Sequence, residues 1–201
     1  MTETPGAPPV ELAPVDEYPD LSGPDSRTAF GLLFDRNARP LHRYLARRVG
    51  EQAADDLVAE VFLTAWAQRT RYDPRRASAR SWLYGIATNL LRRHVRQEVR
   101  HLRATARMSN RTAAEQAESH DGRVAERVDA AMRARQLAGA LAELAPADRD
   151  VLLLVSWAGL DTTEVAEALG IPVGTVRSRL HRIRRGLRAG RRAARTEDGH
   201  A

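Results

Sequence analysis

The chain has 201 residues, a formal charge of +6 and no cysteine, which excludes disulfide frameworks, cysteine-held zinc and thiol chemistry. All 32 basic residues are arginine, whose planar fork donates two parallel hydrogen bonds to a phosphate or a guanine edge. No apolar run approaches the ~20 residues of a membrane span, and the N-terminus lacks the basic and apolar blocks of a secretion signal, so a cytoplasmic location without membrane insertion is expected.

Charge is segregated along the chain. Residues 1–26 carry six acids, no base and repeated prolines, the composition of a disordered tail that is either a plain solvated leader or a mask for basic surfaces elsewhere. Arg27–Val49 reads as a helix, interrupted near Pro40, with Phe30, Leu33 and Phe34, then Leu41, Tyr44 and Leu45 at helical spacing, and Gly50 ends it. Glu51–Arg69 is a second helix with an apolar stripe of Leu57, Val61, Phe62 and Ala65. Asp55, Asp56 and Glu60 stand near its start, where they complement the helix dipole. Thr70–Ala79 is a loop. Arg71, Tyr72, Arg75 and Arg76, with Arg80 just beyond, make it a basic segment with one aromatic, suited to a splayed single strand. Arg80–Arg100 is a third helix. Trp82, Leu83, Ile86, Leu90 and Leu91 lie on one side, and Asn89, Arg92, Arg93 and Arg96 on the polar side. Trp82 and Tyr84 serve either as core or as stacking platforms for bases.

From His101 to about Gly122 the pattern is polar and aperiodic, a linker with fraying helix. A helical period resumes over Arg123–Leu144, and Pro146 opens the next helix at a position that tolerates proline. The six histidines are scattered, with no pair at ligand spacing on one helix face, so neither a metal nor a cofactor is expected.

The strongest local pattern follows. Thr162 or Thr163 caps a short helix, Glu164–Ala168; Leu169-Gly170-Ile171 is a tight turn with Gly170 at positive φ; Pro172 opens a second helix or precedes its cap. On a wheel of ~100° per residue, Val176, Leu180, Ile183 and Leu187 face a core, and arginines dominate the rest. Pro172–Arg195 holds nine arginines and no acid. Such a run repels itself unless a polyanion neutralises it. The pattern is a helix-turn-helix, whose second helix enters the major groove. Arg177, Ser178, His181 and Arg182 are placed to read base edges, and Arg179, Arg184, Arg185 and Arg188 to hold phosphates.

The segment Gly170–Arg182 resembles the promoter-reading motif of extracytoplasmic-function (ECF) sigma factors, and Leu141–Leu152 is similar to the approach helices of that family. Asp55–Phe62 and Ser81–Asn89 match the family's N-terminal half. The resemblance implies an all-α chain of two small helical domains on a flexible linker: residues 27–100 for the −10 element and core polymerase, 101–124 as linker, and 125–195 for the −35 element, with 196–201 as a tail. It implies −35 contacts by Thr175, Arg177, Ser178, Arg179, His181, Arg182 and Arg185. It implies −10 contacts by Arg71, Tyr72, Arg75, Arg76, Arg80, Asn89, Arg92, Arg93 and Arg96. Core polymerase would meet Asp55, Asp56, Leu57, Glu60, Val61 and Phe62. The implied partners are core RNA polymerase, promoter DNA and an anti-sigma factor, and catalysis belongs to the polymerase, not to this chain. Arg93 departs from the family, which often carries an acid there; the added charge strengthens phosphate binding or alters −10 preference. The stretch between the two domains is too short for the central domain of housekeeping sigma factors, and no further domain is expected after Arg195.

Two other readings carry less of the sequence. A stand-alone helix-turn-helix regulator would bring a ligand or phospho-acceptor domain, and residues 27–100 show no βαβ pattern. A DNA-cutting enzyme would need Asp55, Asp56 and Glu60 as a metal cluster, yet they sit on the first turns of an amphipathic helix with no partner acid elsewhere.

Overall fold

The computed structural model describes residues 17–109, 141 and 143–197, with side chains described for 17–100, 141 and 143–188. Among these residues every regular element is helical: α1 (Ser26–Val49), α2 (Glu51–Gln68), a 3-10 turn (Arg69–Arg71), α3 (Ala79–Ser109), α4 (Pro146–Ser156), α5 (Thr162–Leu169) and α6 (Val173–Glu197). The expected tail before residue 17, most of the linker and most of the helix over 123–144 lie outside the described residues.

Helices α1, α2 and α3 pack as one half. Leu33, Leu41, Tyr44 and Leu45 of α1 meet Ala54, Leu57, Val61 and Phe62 of α2 and Leu83, Ala87 and Leu91 of α3. Helix α1 is continuous through Pro40, contrary to the expected interruption. A mid-helix proline costs about 3 kcal/mol. Four fully or nearly fully buried side chains flank this one, each stabilising the helix by about 1.5–3 kcal/mol, and they outweigh it. Gly50, at φ 86°, turns the chain directly into α2, a conformation cheap only for glycine. Helix α3 runs past Arg100 to Ser109, into residues whose polar composition reads as linker.

Helices α4, α5 and α6 form the other half around Val151, Leu154, Leu160, Val165, Val176, Leu180 and Ile183. Pro146 occupies the first turn of α4, as expected. The cap of α5 is Asp161, not Thr162 or Thr163. Its Oδ1 accepts from the backbone N–H groups of Thr163 (2.6 Å) and Glu164 (2.8 Å), while Glu164 Oε2 accepts from the Asp161 N–H at 2.9 Å. A carboxylate accepts both orphan N–H groups more strongly than a hydroxyl, and the Asp-x-x-Glu spacing closes the reciprocal box. Gly170, at φ 63°, makes the turn between α5 and α6.

The two halves are in contact, with α5 lying on α3. A Cβ built on Gly85 of α3 would stand 2.6 Å from the carbonyl oxygen of Ala168, so only glycine admits the α5 backbone this close.

Candidate nucleic-acid interface

Helix α6 presents the face that its period predicts. Val176, Leu180 and Ile183 are buried; Arg177, Ser178, His181, Arg184, Arg185 and Arg188 are exposed; Thr175 is half-buried. Ser178 Oγ donates to the Thr175 carbonyl at 3.0 Å, and none of the five exposed arginine and histidine side chains at 177, 181, 184, 185 and 188 has an acidic partner among the described residues. Two arginines differ. Arg182 is clamped to Asp148 at the start of α4: its Nη2 donates to both carboxylate oxygens at 2.7 Å and its Nε to Oδ2 at 3.2 Å. Arg179 lies on the same flank, half-buried, its Nη1 donating to the Ala147 carbonyl at 3.3 Å and its Nε 3.7 Å from Asp148. Periodicity separates core from surface on α6; it does not show which surface arginines a neighbouring helix engages.

The candidate −10 surface divides more sharply. Arg71, Arg75, Arg76, Asn89 and Arg96 are exposed. Tyr72 is buried, stacked at a tilt on half-buried Trp82 with ring centroids 5.0 Å apart, so its ring is core-facing and not a free platform. Tyr84 is also core: it is buried edge-on against Tyr44 at 5.4 Å. Burial pushes the phenols of Tyr44 and Tyr84 above the usual tyrosine range, and both stay neutral at ordinary pH. A groove of about 640 Å³ runs between this surface and the turn of the helix-turn-helix, with Arg71, Arg76 and Trp82 on one side and Thr163, Gly170 and Pro172 on the other.

Two of the expected −10 arginines are held by acids of the opposite half. Asp150, buried to 2 % exposure, accepts from Arg92 Nε at 2.7 Å and Arg48 Nη1 at 3.0 Å. Arg80 Nη1 donates to Glu164 Oε1 at 3.0 Å and its Nη2 to the Ala158 carbonyl at 2.7 Å. Glu167 Oε2 accepts from the Ser78 backbone N–H at 3.2 Å. Glu164 therefore closes the cap of α5 with one oxygen and pairs with α3 through the other. Arg48, Gly85, Asp150 and Glu164 are the residues that sequence reasoning missed here. Each has its partner 58 to 102 positions away, or across an unpredicted helix contact, and no local pattern encodes it.

On α2, Asp55 lies 3.0 Å from His42 Nε2, Asp56 is exposed, and Glu60 pairs with Arg93 of α3 on the surface. The −10 candidate Arg93 and the polymerase candidate Glu60 thus face each other. Leu57, Val61 and Phe62 are buried in the bundle, which corrects their expected place as exposed contacts: their stripe is the core-facing one. The large apolar residue that α2 leaves exposed is Leu63, at 70 %; Leu32 and Phe34 of α1 are also exposed.

Residues 33–101 match the family described as sigma-70 region 2, and residues 134–187 the family described as sigma-70 region 4. Over 158 residues the chain is 34% identical to the ECF RNA polymerase sigma factor SigL of Mycobacterium tuberculosis, covering 78% of this chain and 85% of that relative. It is 33% identical over 158 residues to the RNA polymerase sigma factor CarQ of Myxococcus xanthus, covering 78% and 86%. Among solved structures, CnrH in complex with the cytosolic domain of CnrY superposes with a TM-score of 0.56 at 27% identity, over 83% of this chain and 90% of that one. The sigma factor RpoE of Bartonella quintana, solved with the anti-sigma factor NepR, shares the fold with a TM-score of 0.51 at 21% identity, over 80% and 93%.

Proposed function

The chain belongs to the ECF RNA polymerase sigma factors, which direct core polymerase to promoters at initiation, and we propose that its two halves divide promoter reading between them. The observation that carries this reading is the pairing of an acid-free arginine face on α6 with a separate basic surface around Arg71, Arg76 and Arg96 in a three-helix half. The α6 face reads the −35 duplex, Arg177, Ser178 and His181 from the groove and Arg185 on phosphate. The basic loop and the polar side of α3 hold the opened −10 strand by charge, with Trp82 the half-buried aromatic at its edge. On this reading Arg80 and Arg92 must leave Glu164 and Asp150 before they meet DNA, so the halves separate on the polymerase.

Core polymerase is assigned to the outward side of α2, where Asp56, Glu60 and Leu63 stand at i, i+4 and i+7. The chain supplies recognition and no catalytic group, and acts in the cytoplasm, where the polymerase is; none of its described helices is long and apolar enough to cross a membrane. An anti-sigma factor is the assigned regulatory partner, by analogy with the CnrH and RpoE complexes. The match to sigma-70 region 2 disfavours a stand-alone regulator. Mapping the transcripts that rise on overexpression tests the reading: their start sites should share two upstream elements at fixed spacing, and starts without any shared element would overturn it.

A further inference from the structure

We propose that Asp148 is a specificity-determining positioning residue: by clamping Arg182 it converts that arginine from a phosphate binder into a base reader. The inference rests on the −35 assignment of α6. Asp148 is buried, 7 % exposed, on the first turn of α4, and does not itself reach a ligand lying on α6. Its carboxylate engages Arg182 side-on through Nε and Nη2. The Arg182 side chain is nevertheless 61 % exposed, and its Nη1 has no partner among the described residues. The clamp therefore covers one edge of the guanidinium and leaves the Nη1 end directed outward. An arginine's outer N–H groups match the paired O6 and N7 acceptors of guanine.

Two physical consequences follow from the clamp. First, the rotamer entropy of a long side chain is lost on folding and not on binding, so geometry is fixed before DNA arrives. Second, the carboxylate neutralises the guanidinium. Phosphate affinity depends on net charge and counterion release, so a neutralised arginine contributes little to sequence-independent binding. Hydrogen-bond donation to a base edge survives neutralisation. Arg184, Arg185 and Arg188, without acidic partners among the described residues, keep their full charge for the backbone. Arg179, whose Nε lies 3.7 Å from the same carboxylate, is drawn toward α4 and away from the exposed face.

The test uses the full chain bound to core polymerase, selecting from a promoter library randomised through the −35 element, at several salt concentrations, for wild type, Asp148→Ala, Asp148→Asn, Arg182→Ala and the double variant Asp148→Ala with Arg182→Ala. Arg182→Ala and Asp148→Ala should flatten preference at the same base pair, by about tenfold, and the double variant should flatten it no further. Asp148→Ala should also steepen the salt dependence by about one unit in log–log slope, because a freed arginine gains a phosphate; Asp148→Asn, isosteric but uncharged, should share that steepening. A merely structural role would weaken binding to every sequence alike with the slope unchanged, and that result overturns the proposal. So does a wild-type −35 preference that Arg182→Ala leaves intact, in which case the −35 assignment of α6 stands. Absence of any −35 preference in wild type overturns that assignment as well.

Discussion

Replacing Asp150 with alanine removes a buried acid that joins three helices from both halves. Its Oδ1 accepts from Arg48 Nη1, which also donates to Tyr44 Oη at 3.0 Å, and its Oδ2 accepts from Arg92 Nε. The Arg48 side chain is 12 % exposed, so losing its charged partner costs about 2–3 kcal/mol for an unpaired, largely desolvated group. Arg92 is 37 % exposed, and water rescues most of its share, leaving under about 1 kcal/mol. The sum, about 3 kcal/mol, shifts the balance between closed and separated halves by roughly a hundredfold at ~1.4 kcal/mol per decade. Each half has fully buried side chains of its own within the shared core, Leu41, Leu45 and Val61 in one and Val151, Val165 and Val176 in the other, so the loss should appear first as separation and only later as unfolding. The chain has no native cysteine, so dyes can be placed at exposed Ala59→Cys and Ser156→Cys, one on each half, and energy transfer between them measured. Asp150→Ala should lower the transfer efficiency in the free protein, with Asp150→Asn intermediate. Transfer and urea midpoint both equal to wild type would refute the reasoning that Asp150 joins the halves.

Gly85→Ala sets a helix-propensity gain of about 1 kcal/mol against a Cβ 2.6 Å from a backbone oxygen; the clash should win, with lower transfer between the same dyes and a net loss of about 1–3 kcal/mol, whereas a raised melting temperature with unchanged transfer would show that α5 does not bear on this glycine. The buried phenols of Tyr44 and Tyr84 titrate above their unfolded value of 10.0, so their contribution is fully present below pH 10 and is lost as pH rises through the higher folded values; urea midpoints should fall as pH is raised above 10.0, and a flat profile there would contradict the burial. Arg177→Ala should cost ~1–3 kcal/mol at one −35 base pair, read as selective loss of promoter binding; an equal loss on all DNA would make Arg177 a phosphate contact.

The helix-turn-helix was legible because its information is local. The 3.6-residue period of Val176, Leu180 and Ile183, the glycine at 170 and the absence of acids define the α6 face without any distant partner. Distant contacts decide the rest. Helix α1 survives Pro40 because residues on both sides are buried by α2 and α3. Tyr72 and Tyr84 have the same composition signal as a base-stacking aromatic, yet each finds a ring from another turn or helix. The period of Leu57, Val61 and Phe62 defines a stripe, but a stripe faces either a core or a partner, and only packing chooses. The acids that hold Arg48, Arg80 and Arg92 come from the opposite half, and Gly85 carries no sequence sign that a carbonyl will stand above it.

The proposed division of promoter reading between two surfaces serves one purpose only when a polymerase spans them. Run-off transcription with purified core enzyme tests that directly, on promoter templates taken from the mapped start sites. Core enzyme with this chain should produce a transcript of defined length that disappears when either the −35 or the −10 element is scrambled, and core enzyme alone should produce none. A stable complex with core polymerase that yields no specific transcript from any such template would contradict the account.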